Sequence, residues 1–245
     1  SFLPPPKFEV DARYEYLKPK TDIRKIGILA DPSPYSMMMR GLAEKDAAAY
    51  GLTVVANESY QQDDADFSIQ IGRIVAAGAG AVIMIGQGNA AVTVANNIKH
   101  LGLTKLLLMG SINERDILLS AGKVLGPQYL FPSPEIQVAE DDLSMIADPK
   151  SRAAAKDFVG PLKAKFGTTD PGQAARAWDS MMMYAMAAEK AKALDGAALR
   201  DAFETLGHYA GAGASYNFSK TQHVGITQNP YKISYVKDGK LVFKQ

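Results

Sequence analysis

Four short runs of apolar residues recur in the first half of the chain, at 26–30, 54–58, 81–85 and 106–109. Each run is continuous rather than alternating, which is the pattern of strands covered on both faces. Small and polar residues follow each run, and then a stretch with helical spacing of apolar positions, at about 35–50, 66–77, 89–101 and 114–121. Gly51, Gly78, Gly102 and Gly122 come directly after these stretches, where a left-handed helix cap favours glycine. Residues 23–125 therefore read as four βα units of an open, doubly wound parallel sheet. Such sheets bind ligands at the carboxyl ends of their strands, so the loops there are the place to look for function.

The texture changes after a fifth short strand at 129–131. Residues 135–206 are helical in pattern, with helices expected at 136–146, 151–166, 172–194 and 197–206, the last capped by Asp195. Four helices with almost no strand between them cannot make a sheet-centred domain by themselves. The chain then turns extended again. Runs at 231–236 and 240–244 flank Lys237-Asp238-Gly239, and an Asp-Gly between two such runs predicts a hairpin.

Composition narrows the function classes. The chain has 245 residues, 47% of them hydrophobic, which is enough for a real core in one large or two small domains. A formal charge of +1 leaves no cation excess for a phosphate backbone, so nucleic acid is not an expected partner. The absence of cysteine excludes disulfides, thiolate zinc, iron–sulfur clusters and thiol nucleophiles. Only His100, His208 and His223 remain, with no spacing that makes a metal pair, so neither a metal nor a cofactor is expected. No run of 18 apolar residues occurs, so direct membrane insertion is not expected. The opening Ser-Phe-Leu-Pro-Pro-Pro-Lys lacks the regions of a signal peptide, and Pro4, Pro5 and Pro6 make residues 1–22 look like a linker or crossing segment.

Candidate chemistry concentrates after the strands. Gly86-Gln87-Gly88-Asn89-Ala90-Ala91 follows one strand and opens a helix, matching the G-x-G-x-x-A of dinucleotide sites. It sits on the third strand instead of the first, and no acid ends the next strand to hold a ribose. A glycine-rich turn lining a small-ligand cleft is the better reading, with Gln87 and Gly88 as contacts. Asp31 follows the first strand and reads as a helix cap or loop brace. Tyr35, at the start of the first helix, can stack on a ligand at the cleft mouth. Trp178 is the single tryptophan, divided between core packing and an aromatic contact. The triple-methionine runs at 37–39 and 181–183 are expected to be helix and core filler. No nucleophile elbow or activated Ser or Lys is recognisable, so no catalytic residue is expected.

Several stretches taken in order resemble one family, the type I periplasmic solute-binding proteins of ABC transporters, of the branched-chain amino-acid-binding kind. They are Lys25-Ile26-Gly27-Ile28-Leu29, the loop Asp31 to Tyr35-Ser36, Gly51-Leu52-Thr53-Val54-Val55, Asp66-Phe67-Ser68 and Lys99-His100-Leu101-Gly102-Leu103. Further on come Trp178-Asp179-Ser180, Tyr216-Asn217-Phe218-Ser219 and Asp238-Gly239-Lys240. Each is weak alone, but their order over about 8–244 makes the match.

The resemblance implies an α/β fold of two lobes joined by crossings, closing around a small ligand like a hinged clamp. It implies that 23–128 is the C-terminal lobe, that 129–213 returns to the N-terminal lobe, and that 214–245 goes back. One doubly wound lobe would then stand beside an incomplete second one, lacking an opening segment on the order of 100 residues. The implied role is a periplasmic receptor that passes a small carboxylate ligand to a membrane permease. The implied contacts are Tyr35, Gln87, Gly88, Ser111, Asn113 and Trp178. Amino-acid binders place a glutamate in the loop after the fourth strand to hold the ligand ammonium, and here that position reads Ile112. Unless Glu114 substitutes, this departure argues for an aromatic or other small organic acid over an ordinary α-amino acid. Two rivals remain: an NAD-type oxidoreductase using the Gly86 loop, and a cytosolic ligand-sensing domain of a regulator.

Overall fold

A computed structural model describes residues 1–167 and 170–244. The elements run α1 (Lys7–Lys20), β1 (Lys25–Ala30), α2 (Pro34–Ala47), β2 (Thr53–Ser59), α3 (Ser68–Ala76), β3 (Ala81–Ile85), α4 (Ala90–His100), β4 (Leu107–Met109), α5 (Arg115–Leu125) and β5 (Tyr129–Pro134). They continue with α6 (Glu135–Val138), α7 (Pro149–Phe166), α8 (Pro171–Ala191), α9 (Gly196–Phe203), β6 (His208–Ala210), β7 (Ser215–Asn217), β8 (Tyr231–Lys237) and β9 (Lys240–Phe243).

The chain divides into two compact units, one of residues 6–132 and 232–245, the other of residues 1–5 and 133–231. The first is a sheet unit. Its strands lie in the order β2-β1-β3-β4-β5-β8-β9. β1 pairs in parallel with β2 and β3, and β3, β4 and β5 continue the parallel run. β3 and β5 are buried along their whole length, and β1 in all but its first residue, as continuous apolar runs require. β8 and β9 form the expected antiparallel hairpin, with positive φ at Asp238 and Gly239 in its two-residue turn.

Two local expectations are corrected in this unit. Residues 7–20, read as linker, form α1, whose Val10, Tyr14 and Leu17 recur on one helical face and are buried. The Tyr14 hydroxyl donates to the Ala43 carbonyl at 2.9 Å, seating α1 on α2. Gly122 is no cap, because α5 runs on to Leu125. A Cβ there would collide with Val236, so the glycine lets the helix lie close against β8. Gly51, Gly78 and Gly102 do adopt positive φ at their helix ends.

The second unit is helical, with one two-stranded ribbon of β6 and β7. The helix expected over 136–146 breaks after α6 into short 3-10 turns. Asp142 has a non-helical backbone there, and its carboxylate accepts from Ser144 N at 3.0 Å, a local bond that competes with helix continuation. Asp148, Asp170 and Asp195 cap α7, α8 and α9 through backbone N–H groups. One core gathers Ile136, Ala139, Ile146, Ala155, Phe158 and Val159 with Ala175 and Ala212. An aromatic group elsewhere joins Phe2 to Phe203, Tyr216 and Phe218. Because β7 pairs with β6, residues 215–217 belong to this unit, which runs to residue 231.

Candidate functional site

In the sheet unit, the loops after β1, β3 and β4 are bound to one another at the carboxyl ends of the strands. After β1, Asp31 is 1% exposed and accepts from Ser33 N at 2.9 Å and from Gln62 Nε2 at 3.3 Å. Burial pushes its carboxyl up, but hydrogen bonds from Ser33, Ser36 and Gln62 outweigh that and hold it below its ordinary value. Asp31 is thus a loop brace. Ser33 caps α2 by accepting from Ser36 N at 3.2 Å, which sets Tyr35 in the first helical turn.

After β3, Gly86 has φ +142, a conformation essentially reserved for glycine. A Cβ there would meet the Tyr60 hydroxyl, and Asp31 Oδ2 at 2.7 Å. The tight turn at Gly86 is therefore packed against Tyr60 and Asp31. The N–H groups of Gly86 and Gly88 are also taken, by Ser111 Oγ and Asn113 Oδ1, both at 3.2 Å. The loop that matches a dinucleotide motif is thus stitched to its neighbour, with the N–H groups of Gly86 and Gly88 already engaged.

After β4, Ser111 is buried, and its hydroxyl donates to Met84 O at 3.0 Å while accepting from Gly86 N and from Arg13 Nη2. One donor and two acceptor positions are all that a hydroxyl has. Ser111 thus ties β3 to β4 and would have to give up a partner to meet a ligand. Asn113 bridges back to Gly88 in both directions and also accepts from Glu114 N at 3.0 Å.

Beneath these loops lies an ion pair that sequence reasoning missed. Glu9 and Arg13, four residues apart on α1, form a salt bridge in which both side chains are buried. Arg13 Nε donates to Gly110 O at 3.0 Å, and Nη2 donates to Ser111 Oγ at 3.2 Å. Glu9 accepts from Ile112 N at 3.4 Å and from the Tyr35 hydroxyl at 3.1 Å. The i, i+4 spacing of opposite charges was the available signal, although it ordinarily reads as a solvated helix face.

Of the expected contacts, Tyr35, Gln87, Gly88, Ser111 and Asn113 all lie on this strand-end floor of the sheet unit. Tyr35 is 45% exposed and Gln87 is exposed. Trp178 lies in the helical unit, on α8, its ring 5.8 Å from that of Phe158 and packed against the core there. Next to it, Asp179 is fully buried and accepts from Ala212 N at 2.7 Å, Gly213 N at 2.8 Å and the Tyr216 hydroxyl at 3.2 Å. Here burial outweighs the hydrogen bonds, and the carboxyl is raised above its ordinary value. Among the described residues, no group of three or more acidic or histidine side chains is placed to hold a metal, and no helix is long and apolar enough to cross a membrane.

A sequence model of the periplasmic binding protein family matches residues 4–240. An extracellular ligand-binding receptor from Rhodopseudomonas palustris superposes with TM-score 0.83 at 24% identity, over 99% of this chain and 69% of that one. A second such receptor, from strain HaA2, gives 0.84 at 22%, over 99% and 69%. A branched-chain amino acid ABC transporter protein from Thermus thermophilus, solved with bound valine, gives 0.72 at 17%, over 98% and 64%. No curated protein matches the chain. These superpositions give the fold, that of type I periplasmic binding proteins.

Proposed function

The chain belongs to the periplasmic binding protein family, and from that premise we propose that it is the substrate-binding component of an ABC importer. Its ligand is a small organic acid, aromatic or amino-acid-like, taken up in the periplasm and handed to a membrane permease. The observation that carries this reading is the strand-end floor of the sheet unit. Three loops and a helix are locked together there by Glu9, Arg13, Ser111 and Asn113, while Tyr35 and Gln87 stand exposed above. A rigid polar floor with an aromatic edge is what a small-molecule site needs, since little ordering is left to be done on binding.

In this assignment Tyr35 supplies the stacking surface and Gln87 a polar contact, while Gly88 and Asn113, bonded to each other, shape the loop edge beside them. Ser111 acts one step behind, fixing the two loops that present them. Closure around the ligand, as the family resemblance implies, is the proposed mechanism, and it requires tighter ligand binding to the closed state than to the open one. Trp178, the single tryptophan, serves as an optical reporter whose emission is expected to change on titration.

The test is a thermal-shift and calorimetric screen of the full-length protein against aromatic acids, aliphatic acids and amino acids. Saturable binding of at least one acid, weakened about tenfold or more by Tyr35→Ala, supports the assignment. A panel without any response overturns it.

A further inference from the structure

The Glu9–Arg13 pair sits where the ligand's charge would be decided. Glu9 is hydrogen-bonded to the backbone N–H of Ile112 at 3.4 Å and to the hydroxyl of Tyr35 at 3.1 Å. A carboxylate thus does stand at the loop after β4, supplied from α1 and not from the loop itself. Unpaired, it would be a natural acceptor for a ligand ammonium, because a desolvated cation needs a counter-charge. Arg13 cancels it. The guanidinium is fully buried and bonded to Glu9, and it is held in place by Gly110 O at 3.0 Å and Ser111 Oγ at 3.2 Å. Asp31, another carboxylate of this floor, is buried and bonded to Ser33 and Gln62.

We propose that Arg13 is a specificity-determining residue that acts through Glu9: by neutralising the carboxylate at Ile112, it makes this receptor select solutes that carry no ammonium group. The proposal rests on the solute-receptor reading and deepens it from "small organic acid" to deaminated acids in preference to α-amino acids. Arg13 is a positioning residue here, since it is fully covered and works through charge and not through contact with the ligand. The selection follows from a balance. The pair sums to zero charge, so an incoming ammonium beside Ile112 would lose its hydration and gain no net negative charge from the pair in return. An acid without that group loses nothing of the kind.

The experiment measures a ratio of affinities on the full-length protein by calorimetry. The probes are two matched pairs, 3-phenylpropanoate with L-phenylalanine and 4-methylpentanoate with L-leucine, each differing only in the ammonium. The native protein is expected to prefer the deaminated member by about tenfold or more. Arg13→Met leaves Glu9 uncompensated and should shrink or reverse that ratio. Glu9→Gln leaves Arg13 uncompensated and should enlarge it. The double variant should return near the native ratio, and Arg13→Lys, which keeps the charge, should stay within about threefold of it. If Arg13→Met fails to fold, the enlarged ratio in Glu9→Gln carries the test.

A merely structural role would weaken both members of a pair alike and leave the ratio unmoved. An unmoved ratio across these variants therefore overturns the proposal, as does a native preference for either amino acid. Binding of amino acids in preference to acids would leave the receptor reading intact and sink only this inference. Silence from all four probes would overturn this inference alone, because the receptor reading falls only when the wider panel of acids and amino acids is silent as well.

Discussion

Each unit of this protein buries one aspartate against a glycine-bearing loop, and the two carboxyls are shifted in opposite directions. Asp31, in the sheet unit, is held below its ordinary value, and Asp179, in the helical unit, is raised above it. Both are nearly or wholly covered, and both accept backbone N–H groups. The difference lies in what else surrounds them. Asp31 sits at a strand end, where Ser33, Ser36 and Gln62 answer its charge. Asp179 projects from the middle of α8, and burial there costs the ionised form more than Ala212, Gly213 and Tyr216 return. A buried acid is therefore no signature of a site by itself. One of these braces the loop after β1, and the other fastens the β6–β7 turn.

The glycines beside the two carboxyls test this most severely. At Gly86 an alanine meets the Tyr60 hydroxyl and must also adopt φ +142. Gly86→Ala should destabilise the sheet unit by roughly 3 kcal/mol or more, since strain and collision add. At Gly211 an alanine meets the Asp179 carboxyl, without a positive φ. Gly211→Ala should cost about 1–3 kcal/mol. Urea unfolding followed by circular dichroism ranks the two, and a larger loss at Gly211 would break the account of Gly86 as a doubly constrained position.

Removing the carboxyls themselves spans a similar range below Gly86→Ala. Asp179→Ala strands Ala212 N–H, Gly213 N–H and the Tyr216 hydroxyl in a covered place, at a cost of about 3 kcal/mol. Asp31→Ala loses bonds from Ser33 and Gln62, both of which reach solvent, and about 1 kcal/mol is expected. Trp178 fluorescence follows the helical unit, because the tryptophan lies there and nowhere else. The Asp179 variant should shift that transition markedly, while the Asp31 variant should leave it nearly in place.

The same contrast explains what could be read from sequence. In the sheet unit the β1, β3 and β5 runs are apolar because the strands are covered on both faces, so continuous hydrophobicity and the loops between marked out the βα units and a candidate strand-end site. α1 escaped notice because the side chains it buries include Glu9, Asp11 and Arg13, which look like a solvated face until paired. Ser111 was identified by position, but that its hydroxyl is saturated by Met84, Gly86 and Arg13 is a fact of three dimensions. In the helical unit, periodicity found α7, α8 and α9 but not the break after α6, which hangs on one Asp142 side-chain bond. Nor did it show that α8 leaves Met181, Met182, Tyr184 and Met186 exposed, since an apolar stripe looks the same whether it is covered or not.

The smallest expected effect is the most discriminating, because it depends on sign. A carboxyl lowered by folding contributes stability that is present above its unfolded value and lost as pH falls through the folded one. Asp31 follows that rule, so the native advantage over Asp31→Asn should rise with pH up to about 3.8 and then stay level. A carboxyl raised by folding contributes stability that is present below its unfolded value and lost as pH climbs through the folded one. Asp179 follows this second rule, so the native advantage over Asp179→Asn should decline as pH rises above 3.8 and level off beyond its raised value. Urea titrations at a series of pH values from about 3 to 7 give both slopes, with Trp178 emission isolating the helical unit. Slopes of the same sign would mean that hydrogen bonds govern both carboxyls, or that burial does, and the contrast between the two units would collapse.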